Sequence, residues 1–252
     1  MVRKIIISGC NGRMGRVVES ICNSDPEITV IAGFDVTQES RPFPVYVSPA
    51  NFTGEADCVI DFSTPAALDG LLSFCTERKI PLVLATTGFS PEQLNQISEA
   101  SKSVAIFRSA NMSLGINVLL ELVKKAAAVL GDSYDIEIVE KHHNKKVDAP
   151  SGTALMIADA AAGALNFDPE YVYERHSVRQ ARDKKEIGIS AVRGGTIVGV
   201  HEIMFAGRDE IIEIKHTAMS REIFASGAVK AAKYLSEGRA PGMYDMSMLV
   251  QE

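Results

Sequence analysis

Short apolar runs alternate with helical patterns along the first part of the chain. Residues 4–8, KIIIS, form a β-branched run, and a glycine-containing turn separates it from a helical pattern that reaches Ile21. Similar strand-like runs and amphipathic patterns follow at residues 29–35, 58–62, 66–78, 81–88, 91–102 and 104–109. This alternation predicts a parallel, doubly wound sheet over roughly the first 110 residues. Residues 36–56 contain three prolines and no helical period, which predicts a loop with at most a short strand at 45–47.

The second part of the chain has a different pattern. A long helical pattern is followed by an alternating strand, an alanine-rich helical pattern and a polar stretch without clear structure, at residues 114–130, 134–140, 150–163 and 166–186. Three strand-like runs with short turns between them, at residues 187–193, 197–205 and 210–217, predict an antiparallel meander, and one more helix is expected at 223–235. The whole pattern predicts an α/β protein. Its N-terminal domain has a Rossmann-type parallel sheet, and its second, α+β domain has a mixed, largely antiparallel sheet.

Composition narrows the class of protein. The chain has 252 residues, of which 46% are hydrophobic, enough for one large core or two modest ones. Its net charge of −6, with both signs mixed along the chain, argues against a nucleic-acid partner, because phosphate binding needs a concentrated basic face. The four cysteines lack metal-binding spacing, which favours buried thiols in a reducing compartment. No apolar stretch reaches membrane-spanning length, so we expect a cytoplasmic protein without a membrane partner.

The turn after the first strand contains Gly9, Gly12 and Gly15 and opens a helix. Asn11 stands where the usual dinucleotide-binding fingerprint has its middle glycine, so the turn alone is a weak indication. Its context strengthens it, because Asp35 follows Gly15 by 20 residues, at the end of the next strand, where a carboxylate holds a dinucleotide's adenosine ribose. The alternative is that the glycines serve only close packing and that Asp35 is an ordinary solvated carboxylate.

Asp35 also bears on the choice of cofactor. A carboxylate favours the ribose hydroxyls and repels a 2′-phosphate, which needs an arginine close by. Val36 and Thr37 follow Asp35, and neither is basic. We therefore predict that NADH is used at least as well as NADPH.

Two further loops follow predicted strands, ATTG at residues 85–88 and SANM at residues 109–112. Ligands of open α/β sheets bind beyond the carboxyl ends of the strands, so both loops are candidates for lining the nicotinamide. For either loop taken alone, ordinary turn chemistry is the simpler interpretation.

Residues 140–154, EKHHNKKVDAPSGTA, concentrate groups that move protons and hold anions. Two histidines and two lysines lie just ahead of a predicted helix N-terminus: His142, His143, Lys145 and Lys146. The N–H groups and the dipole of such a terminus bind carboxylate or phosphate, and a histidine adds a proton that is exchanged near neutral pH. Lys146 is closer to the helix than Lys145 and is the better candidate for a substrate contact.

Other interpretations of these histidines stay open. They could be ordinary surface residues, because the stretch is polar and histidine is often exposed. A metal site is not expected, because adjacent histidines on an extended segment point to opposite sides and no third ligand lies nearby. His176, His201 and His216 are most simply structural.

Two other classes of protein share parts of the pattern. A different dehydrogenase of amino or keto acids would have the same first half, but it has no need of the arrangement in residues 140–154. A non-catalytic regulator that senses NADH would carry an element that reads DNA or binds a partner, and the sequence shows none.

The motifs of this chain resemble those of the 4-hydroxy-tetrahydrodipicolinate reductases, also called dihydrodipicolinate reductases. The resemblance spans the chain and is carried by GCNGRMG, DFSTP, ATTG, SANMSLGIN, EKHHNKKVDAPSGTA, RGGTIVGVHEIMF and SREIFASGAV. It implies an NAD(P)H-dependent reduction of the cyclic dicarboxylate 4-hydroxy-tetrahydrodipicolinate to tetrahydrodipicolinate, in diaminopimelate and lysine biosynthesis. It also implies a homotetramer built through the second domain's sheet. Residues 1–112 and 221–252 would form the dinucleotide-binding domain, and residues 113–220 the substrate-binding and oligomerisation domain.

The resemblance further implies roles for individual residues. His142 is expected to donate or accept the proton, and Lys146 to be the other proton donor. The substrate's carboxylates are expected to contact His143, Gly152 and Thr153. The residues expected to bind the cofactor are Gly9, Cys10, Asn11, Gly12, Arg13, Met14, Asp35, Ala85, Thr86, Thr87, Ser109, Ala110, Asn111, Met112 and Arg221.

Overall fold

The chain forms two compact units in the structure, a computed structural model that describes residues 2–250. The first unit contains the chain up to Leu114, Gly115–Arg221 form the second, and the chain from Glu222 onward belongs to the first again. The strands are β1 (Arg3–Ser8), β2 (Ile28–Phe34), β3 (Val45–Tyr46), β4 (Cys58–Asp61), β5 (Leu82–Leu84), β6 (Ala105–Arg108), β7 (Asp135–His142), β8 (Glu170–Val172), β9 (Glu186–Arg193), β10 (Gly199–Ala206), β11 (Ile211–Ala218) and β12 (Gly242–Tyr244). The helices are α1 (Arg13–Asn23), α2 (Leu68–Arg78), α3 (Pro91–Ser101), α4 (Leu114–Leu130), α5 (Gly152–Ala162) and α6 (Glu222–Leu235).

The sheet of the first unit is parallel throughout. Its strand order is β12-β6-β5-β4-β1-β2-β3. The order reverses at β1, because β2 pairs with one edge of β1 and β4 with the other. Open α/β sheets bind their ligands beyond the carboxyl ends of the strands at such a reversal. The predicted Rossmann-type sheet is therefore confirmed, and the start of α1 lies at its reversal point.

Different helices cover the two faces of this sheet. On β1, Ile5 and Ile7 belong to a core shared with α1 and α6, whereas Ile6 belongs to a core shared with α2 and α3. Successive side chains of a strand point to opposite faces, so a strand covered on both sides is apolar at every position. This double burial explains the unbroken apolar runs in the first part of the sequence.

Helix α6 returns the end of the chain to the first sheet. Its alanines, including Ala225 and Ala228, are fully buried in the same core as Ile5 and Ile7. The helix lies so close to the preceding loop that a Cβ atom at Gly227 would be 1.7 Å from the backbone oxygen of Met112. The face that α6 covers, which its sequence pattern left open, is therefore the one that it shares with α1.

The second unit has a mixed sheet in the order β11-β10-β7-β9-β8. Strand β10 pairs antiparallel with β11 and β7, whereas β9 pairs parallel with β7 and β8. The predicted mixed sheet is confirmed, but the predicted meander of three strands is wrong, because β7 lies between β9 and β10. The five residues that connect β9 to β10 can span about 17 Å, and the distance across two strand spacings is only about 10 Å. A connection of this length can therefore cross the end of β7 as easily as it can form a hairpin.

Helices α4 and α5 cover one face of this mixed sheet. Along β7 and β10, buried residues alternate with partly buried ones. The buried positions face the core that the strands share with α4 and α5. Among the helices within residues 2–250, none is long and apolar enough to cross a membrane.

Candidate active site

The turn between β1 and α1 requires its glycines. Gly9 has a φ of +74°, a left-handed conformation, and its N–H donates to the backbone oxygen of Phe34 at 2.8 Å. A Cβ atom at Gly9 would lie 2.7 Å from the backbone oxygen of Phe62, and one at Gly15 would lie 2.2 Å from that of Gly9. The glycines therefore allow the chain to turn sharply at the carboxyl end of β1.

The N-terminus of α1 offers backbone N–H groups rather than side chains. Gly12 is the N-cap, no side chain caps the helix, and its first turn contains no acidic residue. Cys10, which the sequence places among the cofactor contacts, turns its side chain into the core, and burial raises the pKa of its thiol to about 11. Cys10 therefore offers only its backbone to a ligand. A pyrophosphate group fits such a terminus, because N–H groups and the helix dipole stabilise its charge.

Asp35 lies beside this turn, at the carboxyl end of β2. Its Oδ2 accepts the N–H of Asn11 at 2.9 Å, and its Oδ1 accepts the N–H and the hydroxyl of Thr37 at 3.2 Å each. The structure thus brings Gly9, Asn11 and Asp35 together. In Rossmann-type folds a carboxylate at this position contacts the adenosine ribose of a dinucleotide.

An arginine that the sequence analysis missed lies at the same place. Arg16 of α1 donates from Nε to the backbone oxygen of Asn11 at 3.1 Å, and its Nη2 donates to the carboxylate of Glu39. The positions directly after Asp35 carry no basic residue, whereas this guanidinium comes from the helix. Its position one helical turn after Gly12 is the signal that could have identified it.

The two predicted nicotinamide loops follow neighbouring strands of the first sheet. Residues 85–87 come after β5 and residues 109–112 after β6, so both loops leave the carboxyl edge that also carries the Gly9 turn. The N–H of Ala85 donates to the backbone oxygen of Asp61 at 3.0 Å, and Met112 is buried against Gly227. Both loops are therefore fixed by backbone contacts within this unit.

The core face of the second sheet changes from apolar to polar along its strands. On β7, Ile136 and Ile138 are followed at the next buried positions by Glu140 and His142. On β10 the same face carries His201 at the end nearest these polar residues, because His201 pairs with Glu140 in the register of the sheet. Burying polar side chains at this end of the strands costs free energy unless they hydrogen-bond to one another. The hydrogen-bond partners of these three residues therefore decide what chemistry the cluster can perform.

Glu140 is the centre of this cluster and is fully buried. Its Oε2 lies 2.6 Å from Nδ1 of His142 and accepts Nη1 of Arg193 at 2.8 Å. Its Oε1 accepts Nη2 of Arg193 at 2.7 Å and the backbone N–H of Ser151 at 3.1 Å. Burial alone would raise the pKa of this carboxyl, but the hydrogen bonds from Arg193 and His142 outweigh burial and lower it. Glu140 is therefore ionised at neutral pH.

His201 contacts two other residues of this cluster. Its Nε2 lies 3.0 Å from Oγ of Ser151, and its ring meets that of His142 edge to face with centroids 5.1 Å apart. Burial, followed by repulsion from His142, lowers the pKa of His201 to about 4. His201 is therefore neutral near pH 7 and adds no charge beside His142.

Helix α5 begins directly next to these groups. Ser151 is its N-cap, with Oγ accepting the N–H of Ala154 at 3.2 Å. A Cβ atom at Gly152 would meet nothing within 4 Å, so the first turn of the helix has open space in front of it. Gly152 and Thr153 therefore lie where a carboxylate can approach the helix N-terminus, and their contact with substrate stays a prediction.

Lys146 lies in the loop between β7 and α5 and is held by a carboxylate of the same loop. Its Nζ donates to both oxygens of Asp148, at 2.8 and 2.9 Å. The hydrogen bond from Lys146 lowers the pKa of Asp148. Lys145, by contrast, is exposed, which agrees with its lower ranking in the sequence analysis.

The two remaining predicted residues of the second unit lie near each other. Nη2 of Arg221 is 3.5 Å from Nε2 of His143, at the outer limit of a hydrogen bond. His143 is only partly buried, whereas the neighbouring His142 is buried, so the two adjacent rings point to different sides. Within residues 2–250, no group of three or more His, Cys, Asp or Glu side chains could hold a metal ion.

Several residues of the second cluster are absent from the sequence-based site. Glu140 and Ser151 lie in the stretch 140–154 but were given no role there, and Arg193 and His201 come from two strands that are about 40 to 60 residues further along the chain. One feature of the sequence could have identified Glu140. Alternate residues of a strand share a face, so Glu140 lies on the same buried face as Ile136 and Ile138.

A parallel sheet of the Rossmann type, joined in one chain to a unit with a buried Glu–His cluster, is typical of oxidoreductases. Comparisons of sequence give the particular family. The models described as dihydrodipicolinate reductase, N-terminus and C-terminus, match residues 3–112 and 115–250. The chain is 55% identical over 252 residues to the 4-hydroxy-tetrahydrodipicolinate reductase of Caldanaerobacter subterraneus subsp. tengcongensis, covering 100% of both chains. It is 50% identical over 251 residues to that of Clostridium tetani, covering 99% of this chain and 97% of the relative. The chain therefore belongs to the dihydrodipicolinate reductase family.

A solved structure has the same fold. The dipicolinate-bound dihydrodipicolinate reductase from Paenisporosarcina sp. TG-14 superposes with a TM-score of 0.82 at 24% sequence identity, covering 97% of this chain and 98% of that one. The family and the α/β fold predicted from the sequence are thus confirmed.

Proposed function

We propose that this protein reduces 4-hydroxy-tetrahydrodipicolinate to tetrahydrodipicolinate with a pyridine nucleotide, in the biosynthesis of diaminopimelate and lysine. Its family and the names of its curated relatives support this activity. The structural observation that carries the proposal is the buried pair of Glu140 and His142 next to the N-terminus of α5. This arrangement combines a proton donor with an anion site, which are the two things that reduction of an unsaturated dicarboxylate requires.

The first unit is proposed to hold the cofactor. The N–H groups at the start of α1 bind its pyrophosphate, and Asp35 binds the hydroxyls of its adenosine ribose. When bound, the nicotinamide supplies a hydride. The other proposed contacts follow the sequence prediction and lie at the carboxyl edge of the sheet: Gly9, Cys10, Asn11, Gly12, Arg13, Met14, Ala85, Thr86, Thr87, Ser109, Ala110, Asn111 and Met112. The cofactor contact of Arg221, which lies in the second unit, stays a prediction.

The second unit is proposed to bind the dicarboxylate substrate. The start of α5 at Gly152 and Thr153 is open to a carboxylate, and Lys146 supplies a positive charge nearby. To bind substrate, Lys146 has to exchange one of its two hydrogen bonds with the exposed Asp148. His143 contributes a partly exposed ring at the same loop. A relative with bound dipicolinate, a planar cyclic dicarboxylate, is consistent with this assignment.

His142 is proposed to provide the proton. Loss of the 4-hydroxyl group of the substrate as water gives a conjugated cyclic imine. Addition of a hydride to its conjugated carbon leaves an enamine, and a carbon atom of that enamine then takes a proton to give the product. The ring of His142 is held at Nδ1 by Glu140, so Nε2 is the atom that transfers the proton. Lys146, the second predicted donor, polarises the carboxylate through its charge. A well-placed general acid contributes about 10²- to 10⁴-fold to the rate.

The decisive experiment follows the absorbance of NADH in the presence of enzymatically generated 4-hydroxy-tetrahydrodipicolinate. Loss of absorbance that depends on both protein and substrate is expected. Pyruvate and 2-oxoglutarate serve as control substrates, because an ordinary dehydrogenase of keto acids would reduce one of them. A protein that binds NADH and oxidises it with none of these compounds would be a sensor, and the proposal would fail.

The preference for one nucleotide is a finer part of the proposal. We propose that NADH is used at least as well as NADPH, because Asp35 favours free ribose hydroxyls. Arg16 supplies the positive charge that a 2′-phosphate needs, but Glu39 already engages it. A ratio of kcat/KM that strongly favours NADPH would refute this preference.

The predicted homotetramer is also a proposal. Strand β11 is an edge of the second sheet, and its exposed residues include Ile211 and Ile212. Exposed apolar side chains on an edge strand are removed from water when another chain pairs with that strand. Sedimentation equilibrium measures the mass in solution, and a monomer at micromolar concentration would contradict the prediction.

A further inference from the structure

We propose that Glu140 is a positioning residue that fixes the ring orientation and the tautomer of His142, and that Arg193 holds Glu140 in place. The inference rests on the proposed role of His142 as the proton donor and extends it to the residues behind the ring. It gives a function to a fully buried carboxylate that follows the apolar residues Ile136 and Ile138 on the same strand face.

The contact between Glu140 and His142 determines which ring nitrogen carries hydrogen. Oε2 of Glu140 and Nδ1 of His142 are 2.6 Å apart. An ionised carboxylate can only accept a hydrogen bond, so Nδ1 must be the donor and the neutral ring keeps its lone pair on Nε2. The ring therefore takes up and delivers its proton at Nε2. Space at that atom is kept by Gly199, where a Cβ atom would lie 3.2 Å from Nε2.

The carboxylate is itself held rigidly. Arg193 donates one hydrogen bond to each of its oxygens, at 2.8 and 2.7 Å, and the N–H of Ser151 donates to Oε1 at 3.1 Å. A bidentate arginine fixes the plane of a carboxylate as well as its position. The hydrogen bond from the N–H of Ser151 connects this carboxylate to the N-cap residue of α5. The site for the proton and the site for the anion thus share one hydrogen-bond network.

The charges around His142 indicate that orientation is the main contribution. Glu140 on β7 and His201 on β10 contact the ring of His142. Arg193 on β9 contacts Glu140, the charge of Lys146 in the following loop acts on His201, and His216 on β11 pairs with His201. Arg193 shares the carboxylate and offsets its charge, whereas burial keeps both His201 and His216 neutral by lowering their pKa values. Glu140 therefore acts on His142 through the orientation of its ring.

The test replaces Glu140 with glutamine and compares it with a matched variant, Glu137→Gln. Glu137 lies on the same strand and is also paired with arginines, Arg175 and Arg182, but it does not contact His142. For E140Q we expect kcat to fall roughly 10²-fold, because a glutamine amide also supports the wrong tautomer. Its KM and its NADH affinity should stay close to those of the wild type. E137Q should keep the kcat of the wild type.

A second measurement does not depend on activity. Long-range ¹H–¹⁵N correlation spectra of the wild-type protein at alkaline pH distinguish hydrogen on Nδ1 from hydrogen on Nε2. We expect Nδ1–H at His142 in the wild type and loss of this tautomer in E140Q. Arg193→Lys, which keeps the charge and loses the bidentate contact, should lower kcat less than E140Q does.

Two outcomes would overturn the inference: a kcat of E140Q equal to that of E137Q, or hydrogen on Nε2 in the wild type. The spectrum of the wild type decides the matter even where a variant fails to fold. A wild-type protein that oxidises no NADH would instead refute the proposed function, and the ring tautomer would still report whether Glu140 positions His142.

Discussion

The turn at Gly9 and the cluster around Glu140 present different chemical groups to a ligand. The turn at Gly9, with the N-terminus of α1, presents backbone N–H groups, and its glycines are required because neighbouring backbone atoms leave no room for a Cβ. The cluster around Glu140 presents side chains from three strands and a helix cap, each hydrogen-bonded to the next. The first region is suited to a ligand with a constant charge. The second is suited to a group whose protonation changes during the reaction.

This difference determines what a substitution does in each region. A side chain added to the turn collides with backbone and changes binding and stability together. A side chain changed in the cluster leaves the strands in place and alters one hydrogen bond of a network. Four substitutions, taken in order of decreasing expected effect, test whether the two regions are separable in this way.

The largest effect is expected from His142→Gln. Loss of the proposed proton donor should lower kcat about 10²- to 10⁴-fold, because glutamine has the size to fill the site but cannot transfer a proton. The affinity for NADH, measured by fluorescence titration, should be unchanged because the proposed cofactor contacts lie at the Gly9 turn. A variant that loses NADH affinity and kcat together would show that the two regions are not separable.

Gly9→Ala should destabilise the protein by about 1–3 kcal/mol and weaken NADH binding. Its φ of +74° disfavours alanine, and the new Cβ would lie 2.7 Å from the oxygen of Phe62. Gly238→Ala is the matched control, since Gly238 has a φ of +80° but no atom within 4 Å of such a Cβ. Thermal unfolding and NADH titration of both variants separate the collision from the backbone conformation. Equal losses in both variants would show that the collision has no effect.

Lys146→Ala should weaken the binding of pyridine-2,6-dicarboxylate roughly 10- to 100-fold, the usual effect of one charged hydrogen bond. The measurement is an inhibition constant against NADH oxidation, with direct calorimetric binding as a check. Lys145→Ala is the control, because that side chain is exposed and lies next to Lys146 in the same loop. Unchanged affinity in Lys146→Ala would remove this lysine from the substrate site.

The smallest effect is expected from Glu39→Gln. Removing the carboxylate releases Arg16, so the affinity for NADP⁺ relative to NAD⁺ should rise roughly two- to fivefold, as expected for a half-exposed ion pair. Glu99→Gln, which removes another exposed pair on the same unit, should leave the ratio unchanged. An unchanged ratio in both variants would show that Glu39 does not restrict Arg16.

The turn was predictable from the sequence because its parts are local. Gly9, Gly12 and Gly15 lie within one short segment between a strand and a helix, and Asp35 follows at the distance set by one helix and one strand. His142, Lys146, Gly152 and Thr153 were also found in one continuous stretch, and their roles stay predictions.

Residues joined only by folding could not be found in the same way. Arg193 reaches Glu140 because β9 pairs parallel with β7, the pairing that the predicted meander excluded. Arg16 reaches the neighbourhood of Asp35 from the facing side of the turn. Pairing between distant strands depends on the whole core rather than on any local pattern, so a sequence reading that misplaces one strand also loses the contacts that this strand brings.

The late return of α6 to the first sheet affects synthesis on the ribosome. The core around Ile5 and Ile7 includes Ala225 and Ala228, which are translated after the whole of the second unit. Until then, one face of the nascent parallel sheet lacks its alanine-rich cover, whereas the second unit already has all of its strands. We therefore expect the second unit to complete its fold before the first unit, although synthesis of the first unit begins earlier. The uncovered face of the first sheet is then the surface that we expect chaperones to bind during translation.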